Sequence, residues 1–337
     1  MIHFKPRHIL SYAALSILLV GAGWYAHGWY HGHYDHHASR RVKLKGFHFI
    51  SPLLDVELPE GVNIHLEPIP FKYKVKQFVQ QQIDTKRVSA ISVYFRDLAD
   101  GPWFGINENV KFNPASMMKV PVMVAWLKRA ETDPQILNRS FVFDGARDLT
   151  GMQDIKPRQS IAPGRKYTVD ELLHFMMNYS DNNATSLLYE TLSTKELNDV
   201  LDGMDVDNDP SDGNNAITVH GYSGFFRILY NAAFLNREMS EKALHLLSLQ
   251  DFAQGISAGV PKGVPVAAKF GEETQGTHGE DKQLHEFGIV YHPSGPYILG
   301  VMTRGHDAAI QSEVVRDISK MVYTEVASTD SLRKLKK

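Results

Sequence analysis

Pro114-Ala115-Ser116-Met117-Met118-Lys119 runs straight into Val120-Pro121-Val122-Met123-Val124-Ala125-Trp126-Leu127, a helix-length stretch without a polar side chain. A helix that is apolar on every side belongs at the centre of a domain. Ser116 then stands at the amino-terminal end of a buried helix, and Lys119 lies three residues on, on the same face, where the two side-chain heads can meet. A serine hydroxyl is a poor nucleophile until a base takes its proton, and an amine whose pKa is lowered by burial or by a second cation can do so. At a helix start the serine's backbone N–H also points outward, ready to help stabilise an oxyanion. The spacing alone says little, because Ser331-Leu332-Arg333-Lys334 repeats it in a basic carboxy-terminal tail, 329–337, where a solvated reading suffices.

Working outward, Ala90 to Phe95 reads as a strand, Ala99 to Pro102 as a turn and Trp103 to Ile106 as a returning strand, so a hairpin precedes Ser116. Before it, Val75, Phe78, Val79 and Ile83 recur at helical spacing. After it, helical patterns cover 117–130, 169–177, 183–192, 195–201, 222–235 and 240–249. Strand-prone runs return at 267–270, 286–292 and 297–303, and 308–324 reads as a closing helix. Strands at both ends enclosing a helical middle predict an α+β fold: one antiparallel sheet built from both termini, flanked by terminal helices and joined to an all-helical subdomain. The seam between sheet and helices is a natural cleft.

The 337 residues, 43% of them hydrophobic, can bury a full core as one large domain or two joined subdomains. A formal charge of −2, from 36 basic and 38 acidic side chains, gives no field of one sign and points away from nucleic acid as a partner. Zero cysteines exclude disulfides, thiolate metal sites and cysteine nucleophiles. The organisation expected is a transmembrane signal-anchor with a histidine-rich spacer over 1–40, a lead-in over 41–70 that is a linker or an edge strand, a catalytic domain over 71–328, and the tail.

From Ile9 to Ala26 there is no charged side chain, and continuing to Tyr30 the segment is long enough to span a bilayer, with Lys5 and Arg7 before it. The long aromatic continuation favours an uncleaved single-pass anchor, while Ala26-His27-Gly28 offers a signal peptidase a site that would leave a secreted protein. Arg40, Arg41, Lys43 and Lys45 outnumber the charges on the other side, so charge counting does not fix the orientation. His27, His31, His33, His36 and His37 crowd a stretch with Trp29, Tyr30 and Tyr34, which reads as a membrane-interface segment or as a loose Zn²⁺ or Cu²⁺ ligand set. No catalytic metal and no cofactor is expected.

Two further motifs follow Ser116. Ser180-Asp181-Asn182 comes after the amphipathic run Leu172 to Met177 and, taken alone, reads as a helix N-cap. Lys269-Phe270-Gly271 is a strand carrying a lysine and then a glycine, which lets another backbone approach closely. In the order Ser-x-x-Lys, Ser-Asp-Asn, Lys-x-Gly, the three resemble the motif set of the class A β-lactamases and penicillin-binding proteins, the penicillin-recognising serine enzymes. The resemblance runs from about Tyr73 to Ala327 and implies a β-lactamase/transpeptidase-like fold.

It further implies that Ser116 is the acylated nucleophile and Lys119 its general base. Ser180 would relay a proton to the leaving nitrogen, and Lys269 would keep the local potential positive, depress the pKa of Lys119 and attract a substrate carboxylate. Asn182 would bind the substrate's amide side chain, with the strand at Gly271 and Glu272 beside it and the backbone N–H groups of Ser116 and Glu272 forming the oxyanion hole. The substrate class implied is a β-lactam or a peptidoglycan stem peptide, met outside the cytoplasmic membrane.

Two departures stand out. The glutamate that in the family activates the deacylating water has no counterpart; Asp202 to Asn214 offers Asp205, Asp207, Asp209 and Asp212, an acid run that also reads as a solvated or Ca²⁺-binding loop. A missing general base costs about 10²–10⁴-fold, which leaves a long-lived acyl-enzyme. Phe270 stands where the family has a hydroxyl that contacts the substrate carboxylate, with Thr274 and Thr277 as nearby substitutes. Three expectations therefore stand side by side: a β-lactamase-like hydrolase, a D,D-peptidase, and a binding module of the same fold.

Overall fold

The structure, a computed structural model, describes residues 40–43, 46–57, 69, 71–98, 101–204, 206, 216–275 and 281–335. The predicted anchor and histidine-rich spacer up to residue 39 lie outside the described residues, as do Asp205, Asp207, Asp209, Asp212 and Thr277. Among the described residues no helix is long and apolar enough to cross a membrane, and no cluster of His, Asp and Glu could hold a metal ion.

The chain divides into two units. In the first, β1 (Arg40–Lys43) and β2 (Leu53–Glu57) form an antiparallel ribbon. The second contains the rest of the described chain: α1 (Lys72–Asp84), β3 (Ala90–Asp97), β4 (Trp103–Ile106), β5 (Lys111–Phe112), α2 (Lys119–Ala130), β6 (Ser140–Phe143), β7 (Arg165–Thr168) and α3 (Val169–Asn178). It continues with α4 (Asn182–Tyr189), α5 (Thr194–Gly203), β8 (Ile217–Thr218), α6 (Val219–Asn231), α7 (Arg237–Ser248), β9 (Val266–Gln275), β10 (Asp281–Val290), β11 (Tyr297–Gly305) and α8 (Ala308–Leu335).

Five strands make one antiparallel sheet in the order β4-β3-β11-β10-β9. Side chains alternate across a strand, so each strand feeds two cores. Ile91, Val93 and Phe95 of β3, with Leu284, Leu299 and Val301, pack with Val75 and Val79 of α1 and Val314, Val315, Ile318 and Val322 of α8. Tyr94, Phe287, Ile289, Ile298 and Met302 face the other way, into the cluster containing Trp126, Leu173, Tyr222, Phe225 and Phe226 of the helical part. The expected α+β architecture is therefore present, with two short ribbons, β5–β8 and β6–β7, inside the part read as helical.

Helix α2 is buried along nearly its whole length, and the indole Nε1 of Trp126 donates to Leu188 O at 3.2 Å. Ahead of it, Ala115–Met118 is a 3₁₀ turn, so Ser116 precedes the α-helix proper, and Pro121 falls in the first turn, where no N–H is needed. Helix starts are set by side-chain caps: Thr168 and Ser193 each form a capping box, and Thr218 and Asn236 begin α6 and α7 earlier than apolar spacing alone suggested. Ahead of α1, residues 48–50 lie against α7. The Glu241 carboxylate accepts four hydrogen bonds of 2.8–3.0 Å from the backbone N–H groups of His48, Phe49 and Ile50, and Tyr291 donates to Phe49 O at 3.0 Å.

Candidate active site

The chain reaches Ser116 through Asn113, which makes four hydrogen bonds, three of them to the sheet. Its N–H donates to Gln283 Oε1 at 3.2 Å, its Nδ2 donates to Glu273 Oε1 at 2.9 Å, and its Oδ1 accepts from Ala115 N–H at 3.0 Å. Its carbonyl takes the fourth bond, from His285 Nε2 at 3.0 Å. His285 Nδ1 accepts from Thr303 N–H at 3.1 Å, which puts the ring proton on Nε2, and burial pushes the imidazole pKa down to about 3, so the ring is neutral. Beyond Asn113, Ala115 sits in the left-handed region at φ 48°, a conformation that costs a non-glycine residue roughly 1–3 kcal/mol. Tyr222 fixes the far side of the turn by donating to Met117 O at 2.8 Å.

Lys119 is only 4% exposed. Its Nζ meets four oxygens: Ser180 O at 2.6 Å, Asn182 Oδ1 at 2.7 Å, Ser180 Oγ at 3.0 Å and Ser116 Oγ at 3.1 Å. Burial lowers its pKa to about 7 against the opposing pull of Asp181 and Glu272. The structure thus brings Ser116, Lys119, Ser180 and Asn182 around one amine, although Ser116 and Ser180 are distant in sequence.

Ser-Asp-Asn both caps a helix and lines the Lys119 amine. Asp181 is the N-cap of α4, accepting from Asn183 N–H at 2.9 Å, and its second oxygen accepts from Ile161 N–H at 2.9 Å. Desolvation raises the Asp181 pKa. Ser180 just before it is left-handed, at φ 57°, which turns its hydroxyl and carbonyl together toward Lys119. Gln153 Nε2 donates to the same Ser180 carbonyl at 3.1 Å, and Asn183 ties in the segment ahead of Gln153 through Leu149 N–H and Asp148.

Strand β9 is the free edge of the sheet and packs against the 3₁₀ turn of Ser116. Lys269 and Gly271 share the face of Ala267, toward the helical part. Lys269 is fully buried. Burial drives its pKa well down, repulsion from Lys119 lowers it further, and Glu286 and Glu272 pull the other way. Burial is the largest cause at both amines, and the repulsion between Lys119 and Lys269 is mutual, disfavouring a state in which both carry a proton. Phe270 N–H points away from β10, to Gln250 Oε1 at 2.7 Å, so two residues on the Glu272 N–H points to the same open edge. The Glu272 side chain accepts from Ile155 N–H at 2.6 Å, and burial raises its pKa.

The Phe270 ring lies on the other face from Lys269, stacked on Phe252 with centroids 4.4 Å apart. Thr274, expected to supply the missing hydroxyl, donates to Asp154 Oδ2 at 2.5 Å instead. Glu286, opposite Phe270, accepts from Ile256 N–H at 2.6 Å and Gln250 Nε2 at 2.7 Å; burial raises its pKa to about 7. Asn113, Gln153, Gln250, His285 and Glu286 belong to no motif. Their one sequence signal is weak: His285-Glu286 lies just ahead of the apolar run Phe287 to Val290, after Asp281, Lys282 and Gln283. The acid-rich loop leaves α5 at Gly203 and returns at β8, which pairs with β5 just ahead of Asn113, so its carboxyl-side end is pinned close to the Ser116 turn.

Comparison with known proteins gives one consistent outcome. The family model described as the Beta-lactamase enzyme family matches residues 74–326. A search of curated proteins finds no match. Among solved structures, the fold is similar to the TLA-1 extended-spectrum β-lactamase at 15% identity and TM-score 0.65, over 75% of this chain and 98% of that one. It is similar to the β-lactamase from Sphaerobacter thermophilus at 19% identity and TM-score 0.63, over 76% and 97%. A mutant of PBP-A, solved as an acyl-enzyme complex with penicillin G, matches at 22% identity and TM-score 0.60, over 76% and 97%.

Proposed function

This chain belongs to the beta-lactamase enzyme family, and from that premise we propose that it is a serine hydrolase forming an acyl-enzyme on Ser116 with a β-lactam or a D-alanyl cell-wall peptide. The observation that carries the reading is the setting of Lys119 Nζ. A neutral amine has two hydrogens and one lone pair. Its two nearest oxygens, Ser180 O and Asn182 Oδ1, are carbonyl acceptors at 2.6 and 2.7 Å and take the two hydrogens. That leaves the lone pair for a hydroxyl proton, with Ser116 Oγ at 3.1 Å and Ser180 Oγ at 3.0 Å. The lowered pKa supports a substantial neutral fraction near pH 7.

In the acylation step Ser116 Oγ bonds to the substrate carbonyl carbon as its proton passes to Lys119. The C–N bond then breaks, and the proton travels through Ser180 Oγ to the leaving nitrogen. The backbone N–H groups of Ser116 and Glu272 hold the oxyanion. Asn182, with its Oδ1 engaged by Lys119, offers its amide N–H₂ to the acyl side of the substrate. The strain at Ala115 and Ser180 is consistent with two hydroxyls held in place for this purpose. Deacylation by water regenerates Ser116.

A second reading, a D,D-peptidase with a slow acyl-enzyme, is favoured by the aspartate-only loop after Ser-Asp-Asn and by the likeness to PBP-A, itself solved as a penicillin G acyl-enzyme. The domain is proposed to work outside the cytoplasmic membrane, held by the apolar segment from Ile9 to Tyr30; retention in the pellet after alkaline extraction of membranes tests this. Intact mass after incubation with penicillin or a fluorophosphonate tests the chemistry: an adduct on Ser116, absent in Ser116→Ala, is expected. Its absence leaves a binding module. Nitrocefin turnover against release of terminal D-alanine separates the two enzymes.

A further inference from the structure

We propose that this site prefers acyl donors without a free carboxylate on the leaving-group side, such as an ester-blocked lactam or a D-alanyl bond followed by an amidated residue. The inference rests on the acyl-enzyme reading of Ser116 and narrows its substrate. An anion taken into a cleft must meet a cation or N–H and O–H donors turned toward it. Beyond Ser180 the site is bounded by β9 from Lys269 to Thr274 and by the segment of Gln153 and Ile155, which bond to Ser180 O and to the Glu272 side chain. The side-chain donors along these walls are engaged elsewhere.

Lys269 is 0% exposed, and its Nζ turns back on its own strand, donating to Phe270 O at 3.0 Å and lying 4.2 Å from the centre of the Phe270 ring. Phe270 brings no hydroxyl, its ring is stacked on Phe252, and its N–H is held by Gln250. The Thr274 hydroxyl is bonded to Asp154. Lys282 Nζ reaches the same Asp154 carboxylate at 3.3 Å, and Lys156 Nζ reaches the carbonyls of Thr150 and Gly151, each at 3.2 Å. The acidic groups on these walls are Glu272, half-buried and pinned by Ile155 N–H, and Asp154 beside it, which holds Lys282. An incoming carboxylate meets like charge.

Benzylpenicillin and its methyl ester differ by this single charge. Labelling of Ser116 in the full chain, followed by intact mass and normalised to each compound's alkaline hydrolysis, is expected to run about tenfold or more faster with the ester. Glu272→Gln keeps the backbone N–H and the bond to Ile155, and it should raise the rate with the acid so that the ratio shrinks. Equal rates, a faster acid, or a ratio unmoved by Glu272→Gln overturn the inference while the acyl-enzyme reading stands. If neither lactam reacts, hippuryl thioglycolate and its methyl ester carry the same comparison. Failure of every acyl donor and of a fluorophosphonate to label Ser116 overturns the acyl-enzyme reading itself.

Discussion

Gly271 lies so close to Pro114 that a Cβ at position 271 would stand 2.5 Å from the Pro114 carbonyl oxygen, and 3.0 Å from Met117 N. Both neighbours are backbone atoms of the turn that carries Ser116, so neither can swing aside. Gly271→Ala is expected to wedge β9 away from Ser116 and move the Glu272 N–H from its place. Acylation of Ser116 should fall by more than tenfold for a stability loss of about 1–3 kcal/mol, read by labelling rate and by denaturant melts on the same preparation.

The Lys119 amine, held to about 7 by burial, can accept a proton only when neutral. The rate of Ser116 acylation is therefore expected to drop about tenfold per pH unit below 7 and to level off above it. Lys119→Arg should remove this limb along with the activity, since a guanidinium keeps its proton. A pH profile of labelling under single-turnover conditions measures both. A profile flat from pH 5 to 8 would remove Lys119 as the base.

Stability should respond to pH through two buried neighbours on β10 with opposite signs. His285, lowered to about 3 from 6.5, binds its proton more readily when unfolded, so its contribution is present above pH 6.5 and is lost as pH falls toward 3. Glu286, raised to about 7 from 4.5, holds its proton more tightly when folded, so its contribution is present below pH 4.5 and is lost as pH rises toward 7. Between pH 4.5 and 6.5 the two slopes oppose each other. Glu286→Gln should expose the histidine's slope, up to about 1.4 kcal/mol per pH unit, in urea melts across that window.

Tyr222→Phe is expected to cost about 1–3 kcal/mol, because it takes the hydroxyl donor from the buried Met117 carbonyl and leaves it only the backbone N–H of Lys119. Since that carbonyl belongs to the turn carrying Ser116, labelling should slow as well. Leu173→Ala, a core truncation in α3, should lower stability by about 2–5 kcal/mol while the labelling rate of the folded fraction holds.

Much of this was legible in the sequence because it rests on local pattern. The apolar run after Lys119 announces a buried helix, and two of the three motifs supply the side chains now found around the Lys119 amine. The ribbons β5–β8 and β6–β7 escape because two- to four-residue strands carry too little periodicity. The caps at Thr218 and Asn236 shift helix starts by choices that apolar spacing does not see. His285 and Glu286 read as the polar start of a strand, since their partners, Asn113 and Thr303 for one, Gln250 and Ile256 for the other, come from distant parts of the chain. Phe270 invited a substrate-facing reading; strand alternation sends its ring to the opposite face.

The grip of Glu241 on the backbone of His48, Phe49 and Ile50 has a mechanical meaning. The clasp falls between β1 and β2 in the chain, and its four bonds converge on a single carboxylate, which resists any slide of this segment along α7. Loss of that one side chain would free three consecutive backbone N–H groups at once.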